Sequence, residues 1–259
     1  MSFTDAQLSA WLAAFFWPLI RVAALFSSAP ILSAKQFPVR MRVALALFIT
    51  VIIVPTLPQP PVVDVFSYDA FLIMLQQILI GISMGFVLQM VFAALVFGGQ
   101  ITAYSMGLGF ASMIDPQNGT QVPVISQYYV ILATLMFLLL NGHLTLIEMV
   151  VDSFTLLPIA TDGISRNGYY ELVAWGSQLF INGLLMALPI VGILLLVNLG
   201  MGVVMRAAPQ LNIFAIGFPI TIVLGFLVMA VTLPNMLALF TDMLDDSFQM
   251  IRNTLLIVR

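Results

Sequence analysis

The chain has 259 residues, 62% of them apolar and only 7% charged, with eight Lys and Arg, eleven Asp and Glu, one His and no Cys. Soluble domains carry about 25% charged residues, so this chain has too few to cover a water-facing surface, and its mean hydropathy of +1.13 points to lipid. The missing Cys removes disulfides and thiol chemistry, and a net charge of −3 without a basic run argues against a nucleic-acid partner.

Apolar runs of about 18 residues or more read as transmembrane helices. About six occur, over 8–32, 43–58, 70–97, 124–147, 173–205 and 210–238. The first 20 residues hold no Lys or Arg, so no cleaved signal peptide is expected. Lys35, Arg40 and Arg42 make the first connection cytoplasmic. Alternation then places Asp5, Asp64 and Asp69 outside, Gly98–Pro123 inside, an acidic Glu148–Glu171 loop outside and Arg206 inside.

Several runs fit a plain spanning helix badly. Val43–Val54, between Pro38 and Pro55, spans about 18 Å, short of a hydrocarbon core of about 30 Å. Ala70–Tyr104 as one helix would reach about 52 Å. Pro18, Pro30, Pro189, Pro209, Pro219 and Pro234 lie in or beside apolar stretches, where each removes a backbone donor. Broken hairpins packed on other helices and ordinary kinks in a helical bundle both fit these features.

Gln76, Gln77, Gln89, Asn182 and Asn198 lie inside apolar runs and seek interhelical hydrogen bonds. Gly81-x-x-x-Gly85 and Gly98-Gly99 allow backbones to approach closely. Packing within the chain and packing against other subunits both account for them. Arg21 is expected to snorkel or to pair with a partner carboxylate. His143 and Glu148 would lie about 140° apart on a helix, so a capping or interfacial role suits His143 better than a shared site. No line of carboxylates crosses a run, which weakens a proton-coupled transporter. Gly107-Leu-Gly-Phe110 lacks the rest of a dinucleotide fingerprint, and one His cannot build a multi-histidine metal site. No enzymatic activity, cofactor or metal is expected.

Tyr104–Pro123, YSMGLGFASMIDPQNGTQVP, has the turn chemistry of a loop at Asp115-Pro116 and Asn118-Gly119. It also holds Met106, Leu108, Phe110, Met113 and Ile114. Apolar side chains on a glycine-rich loop suit a soft seal, although a structural re-entrant loop has the same composition. At the end of the chain Leu237, Phe240, Leu244, Phe248, Ile251, Leu255 and Val258 form one stripe. Asp242, Asp245, Asp246, Gln249 and Asn253 lie off it. This amphipathic helix, 236–258, is expected to dock on a partner or to lie on the membrane.

Several segments together resemble the FliR family of flagellar export-gate proteins. They are VNLGMGVVMRAAPQLNIFAIGFPITIVLG within Ala187–Gly225, Phe137-Leu-Leu-Leu-Asn-Gly-His143, Asp152-Ser-Phe154 with Pro158, the early Arg21, Pro30, Pro38 and Arg40, and Asp115-Pro116-Gln-Asn-Gly119. The resemblance covers about residues 10–240.

The resemblance implies an all-α membrane protein of kinked, broken helical hairpins inside a helical hetero-oligomeric export gate. It implies a FliP-like half, about 1–170, and a FliQ-like half, about 171–259. One copy would join several copies each of FliP and FliQ, with FlhB, in the bacterial inner membrane at the flagellar basal body, partly raised above the membrane plane. The gate would pass unfolded flagellar proteins. Met106, Phe110, Met113 and Ile114 would seal it, Gly107, Gly109 and Gly119 would act as hinges, and Asp115 and Pro116 would fix the turn. Pro30, Pro38, Pro189, Arg206, Pro209, Asn212 and Pro219 would break or pack helices. A virulence secretion homologue shares these features, and a stand-alone small-solute transporter is the alternative of another class.

Overall fold

The computed structural model describes residues 5–34, 37–59, 61, 63, 67–109, 124–208 and 213–256. Among the described residues there are helices and connections but no strand. In chain order they are α1 (Asp5–Ser28), α2 (Val39–Ile53) with a 3-10 turn (Val54–Thr56), α3 (Tyr68–Ser105), α4 (Val124–Leu139), α5 (Gly142–Leu156), α6 (Arg166–Ala207) and α7 (Ile213–Met250), which runs into a π turn (Ile251–Leu255). Four stretches are long and apolar enough to cross a membrane: Val39–Thr56, Tyr68–Ser105, Arg166–Ala207 and Gly217–Leu255. The bent pair α4–α5 makes a fifth if it counts as one span, and the apolar part of α1, Ala13–Ser28, is shorter.

Three expectations from the sequence need correction. The fourth apolar run is two helices, bent by 65°. Asn141 makes the break with φ 57°, a left-handed conformation that Asn tolerates better than most residues. Its carbonyl then accepts from Leu144 and Thr145 to start α5, and a Cβ on Gly142 would lie 2.6 Å from the Phe137 ring. Secondly, much of the acidic Glu148–Glu171 segment is helix, because Leu146, Met149, Val150, Ser153 and Phe154 bury one face of α5 at helical spacing. Thirdly, the amphipathic C-terminal stretch continues α7 and is not a separate helix. Of its expected stripe Phe240, Leu244, Ile251 and Leu255 are buried, Leu237 and Phe248 are half-buried and Val258 lies outside the described residues; Met236, Met243, Ser247 and Met250 are buried beside them, while Asp242, Asp245, Asp246, Gln249 and Asn253 are exposed.

The chain divides into two compact units. The first takes Met1–Met90, Phe137–Gly176 and Leu244–Arg259, and the second Val91–Met136 and Ser177–Met243. In the first, α3 lies directly on α1. A Cβ on Gly81 would sit 2.5 Å from the Arg21 carbonyl oxygen, and one on Gly85 would sit 2.7 Å from the Ala29 nitrogen. The Gly81-x-x-x-Gly85 pair therefore serves contact within the chain. Arg252 closes this unit at its surface, 3.2 Å from Asp152 and 3.6 Å from Glu148 on α5.

In the second unit, glycines again bring backbones together. A Cβ on Gly98 would lie 2.7 Å from the Gly183 carbonyl oxygen, and one on Gly99 would lie 2.6 Å from Ser126 Cα. The Ser126 hydroxyl donates to the Val96 carbonyl at 2.9 Å, which joins α4 to α3. Phe92 with Phe240, and Phe97 with Phe180, pack edge to face at 5.7 and 5.4 Å.

Candidate functional site

The loop singled out by sequence leaves from the end of α3, and the described residues define its root. Gly107 has φ +81°. Its N–H donates to the Tyr104 carbonyl, and the Leu108 N–H reaches back to the Ala103 carbonyl, each at 3.0 Å. This paired pattern, with a left-handed glycine just past the end, is a Schellman termination. Gly107 is therefore the residue that stops α3.

Residues of α7 close over that helix end. The Thr221 hydroxyl lies 3.2 Å from the Met106 carbonyl and 3.1 Å from the Phe218 carbonyl, so its single proton is shared between them. Met106 is fully buried. A Cβ on Gly225 would meet its Cγ at 2.6 Å and its Cε at 2.7 Å, so the thioether fills the place where a side chain at 225 would be. The Phe218 ring covers Gly107, whose Cβ would lie 2.7 Å from Cδ1, and the Tyr104 ring covers Gly109, at 2.5 Å. Sequence reasoning found Met106, Gly107 and Gly109 but missed Phe218, Thr221 and Gly225. Only their helical spacing hinted at a shared face.

Phe110, Met113, Ile114, Asp115, Pro116 and Gly119 lie outside the described residues, as do Pro209 and Asn212. Pro30 is buried in the turn after α1, where its carbonyl accepts from Leu32. Pro38 is the N-cap of α2. Pro189 and Pro219 fall inside α6 and α7, which continue through them. Arg206 is exposed in the last turn of α6, and His143 is exposed in the first turn of α5.

Arg21 neither snorkels nor meets a carboxylate. It is fully buried, with Nε donating to Gln77 Oε1 at 2.8 Å. Nη1 donates to the Ser153 carbonyl at 2.8 Å and to its hydroxyl at 3.0 Å, and Nη2 donates to the Leu157 carbonyl at 3.0 Å. Its Cζ stands 4.2 Å from the centre of the Phe154 ring. The charge is therefore held at the C-terminus of α5, where the helix dipole supplies roughly half a negative charge, and over an aromatic face. The Asp152-Ser-Phe154 segment is the receiver of this arginine, which the sequence placed in an outside loop.

Over residues 12–247 the chain matches the family described as bacterial export proteins, family 1. It is 43% identical over 248 residues to the flagellar biosynthetic protein FliR of Escherichia coli (strain K12), covering 96% of this chain and 95% of that one. The FliR of Pectobacterium carotovorum subsp. carotovorum is 36% identical over 255 residues, with 98% and 97% covered. That of Bacillus subtilis (strain 168) is 29% identical over 249 residues, with 95% of each chain covered.

Proposed function

Since the chain belongs to the FliR family of bacterial export proteins and is a membrane component of flagellar protein export, we propose that it lines and closes the channel of the type III export gate. Unfolded flagellar proteins pass through this channel across the inner membrane. The Tyr104–Pro123 loop is the closure, with Phe110, Met113 and Ile114 as its apolar seal, Gly109 and Gly119 as hinges and Asp115-Pro116 fixing its turn, while Met106 and Gly107, held against α7, are its root. One copy joins several FliP and FliQ subunits, with FlhB beside them. Residues 1–170 take the FliP-like place and 171–259 the FliQ-like place.

The observation that carries this reading is the mismatch of α6 with a bilayer. Its 42 residues measure about 63 Å, roughly twice a hydrocarbon core. Only 28% of its apolar window is buried by this chain. A helix so long and so uncovered suits a subunit whose apolar faces are completed by other subunits.

Deleting Gly107–Gly119 tests the closure. Cells carrying the deletion in assembled gates are expected to leak small solutes, and gates that stay as tight as wild type would remove the closure from this loop. Purification tests the assembly: the chain is expected to come down with FliP and FliQ, and a monomer that transports a solute in liposomes would replace the gate with a transporter.

A further inference from the structure

We infer that Phe218, Thr221 and Gly225 on α7 are positioning residues that fix the end of α3, so that the loop leaving Gly107 starts from an immobile root. This inference rests on the reading of that loop as the channel closure. The last carbonyls of a helix have no partner of their own, and away from water each needs one. The Met106 carbonyl obtains it from the Thr221 hydroxyl. The Met106 side chain is buried where residue 225 carries only hydrogen, and the Phe218 ring lies over Gly107. These contacts come from successive positions three and four residues apart, which is one face of α7.

A helix end that swings with its loop does not need a capping donor, a fitted socket and a covering ring from another helix. All three are present at Met106 and Gly107. At Gly107 a side chain meets two obstacles, the φ of +81° and the Phe218 ring. Met106 and Gly107 therefore stay in the wall while the gate works.

The test uses the full chain in assembled gates and reads small-solute leak and export, each normalised to the amount of assembled complex. Thr221→Val keeps the shape and removes the hydroxyl. It is expected to raise the leak about two- to tenfold, the shift that one lost hydrogen bond of ordinary strength produces. Thr221→Ser keeps the hydroxyl and is expected to stay tight.

Because the chain has no Cys, Met106→Cys with Gly225→Cys supplies a second measurement that does not depend on leak. Oxidation is expected to join the pair and to leave export equal to that of the same double variant kept reduced. If no disulfide forms, or if export stops on oxidation and returns on reduction, the root is not fixed and the inference is overturned. If deleting Gly107–Gly119 leaks but Thr221→Val stays tight, the positioning role falls and the closure survives. If the deletion also stays tight, both fall.

Discussion

α3 and α6 are similar in length and apolar character but differ in how the chain treats them. Within their apolar windows 67% of α3 is buried and only 28% of α6. On α3, Gly81, Gly85, Gly98 and Gly99 each meet another helix at backbone distance. On α6, Gly183 does the same, but among the described residues nothing lies within 4 Å of a Cβ at Gly192, Gly200 or Gly202. Leu196, Leu199 and Val203 beside them are exposed. A mid-helix glycine costs about 1 kcal/mol relative to alanine. Along α3 that cost is offset by close packing within the chain. Along the second half of α6 no described residue packs against these glycines, which supports the proposal that other subunits cover that face.

Substitutions on the two helices break or sharpen this contrast. The largest effect is expected from Arg21→Met, which strips Gln77 on α3 and the Leu157 carbonyl of their buried donor. Unsatisfied buried groups cost about 1–3 kcal/mol each, so the thermal midpoint of the detergent-solubilised chain should fall clearly. Arg21→Lys should recover only part of it, because an ammonium cannot reproduce the planar fork. Gly81→Ala comes next. Its Cβ would press on the Arg21 backbone, and overpacking of this kind costs about 1–3 kcal/mol, read from the same midpoint.

Gly200→Ala is the matched control on the uncovered helix. In the isolated chain it should be neutral or stabilising by up to about 1 kcal/mol, yet it should lower the yield of FliP and FliQ in pull-downs. A yield equal to wild type would mean that the open glycines of α6 face lipid. The smallest effect belongs to Arg252→Ala. Its ion pairs with Glu148 and Asp152 are well exposed, so it should cost less than about 1 kcal/mol, and a larger loss of protease resistance would contradict that.

The sequence made the all-helical membrane class, the Gly81-x-x-x-Gly85 contact and the amphipathic end of α7 legible, because each is a local pattern. The break at Asn141 was hidden by hydropathy, which counts apolar residues and is blind to a left-handed φ, although Asn141-Gly142 is itself a turn signal. Helix α5 is masked in the sequence by its charges, which interrupt the apolar pattern around the helical spacing of Leu146, Met149, Val150 and Phe154. A lone arginine in an apolar run predicts snorkelling or a carboxylate partner, whereas four neutral oxygens and a ring hold Arg21. In the candidate site Gly107 announced itself by type and place. Thr221 and Gly225 did not, because their meaning depends on a helix end more than a hundred residues earlier in the chain.

Unit one is assembled from three separate stretches, and this bears on how the chain is made. Met1–Met90 shares its unit with Leu244–Arg259, so buried Ile251 and Leu255 are made about 160 residues after the first stretch of their unit. At about 5–20 residues per second, the first helices wait roughly 10 s or longer for the turn at Ile251–Leu255 that packs into their unit. During that interval α1 and α2 lack part of their own unit. The first helices are therefore most open to other contacts before the Ile251–Leu255 turn arrives.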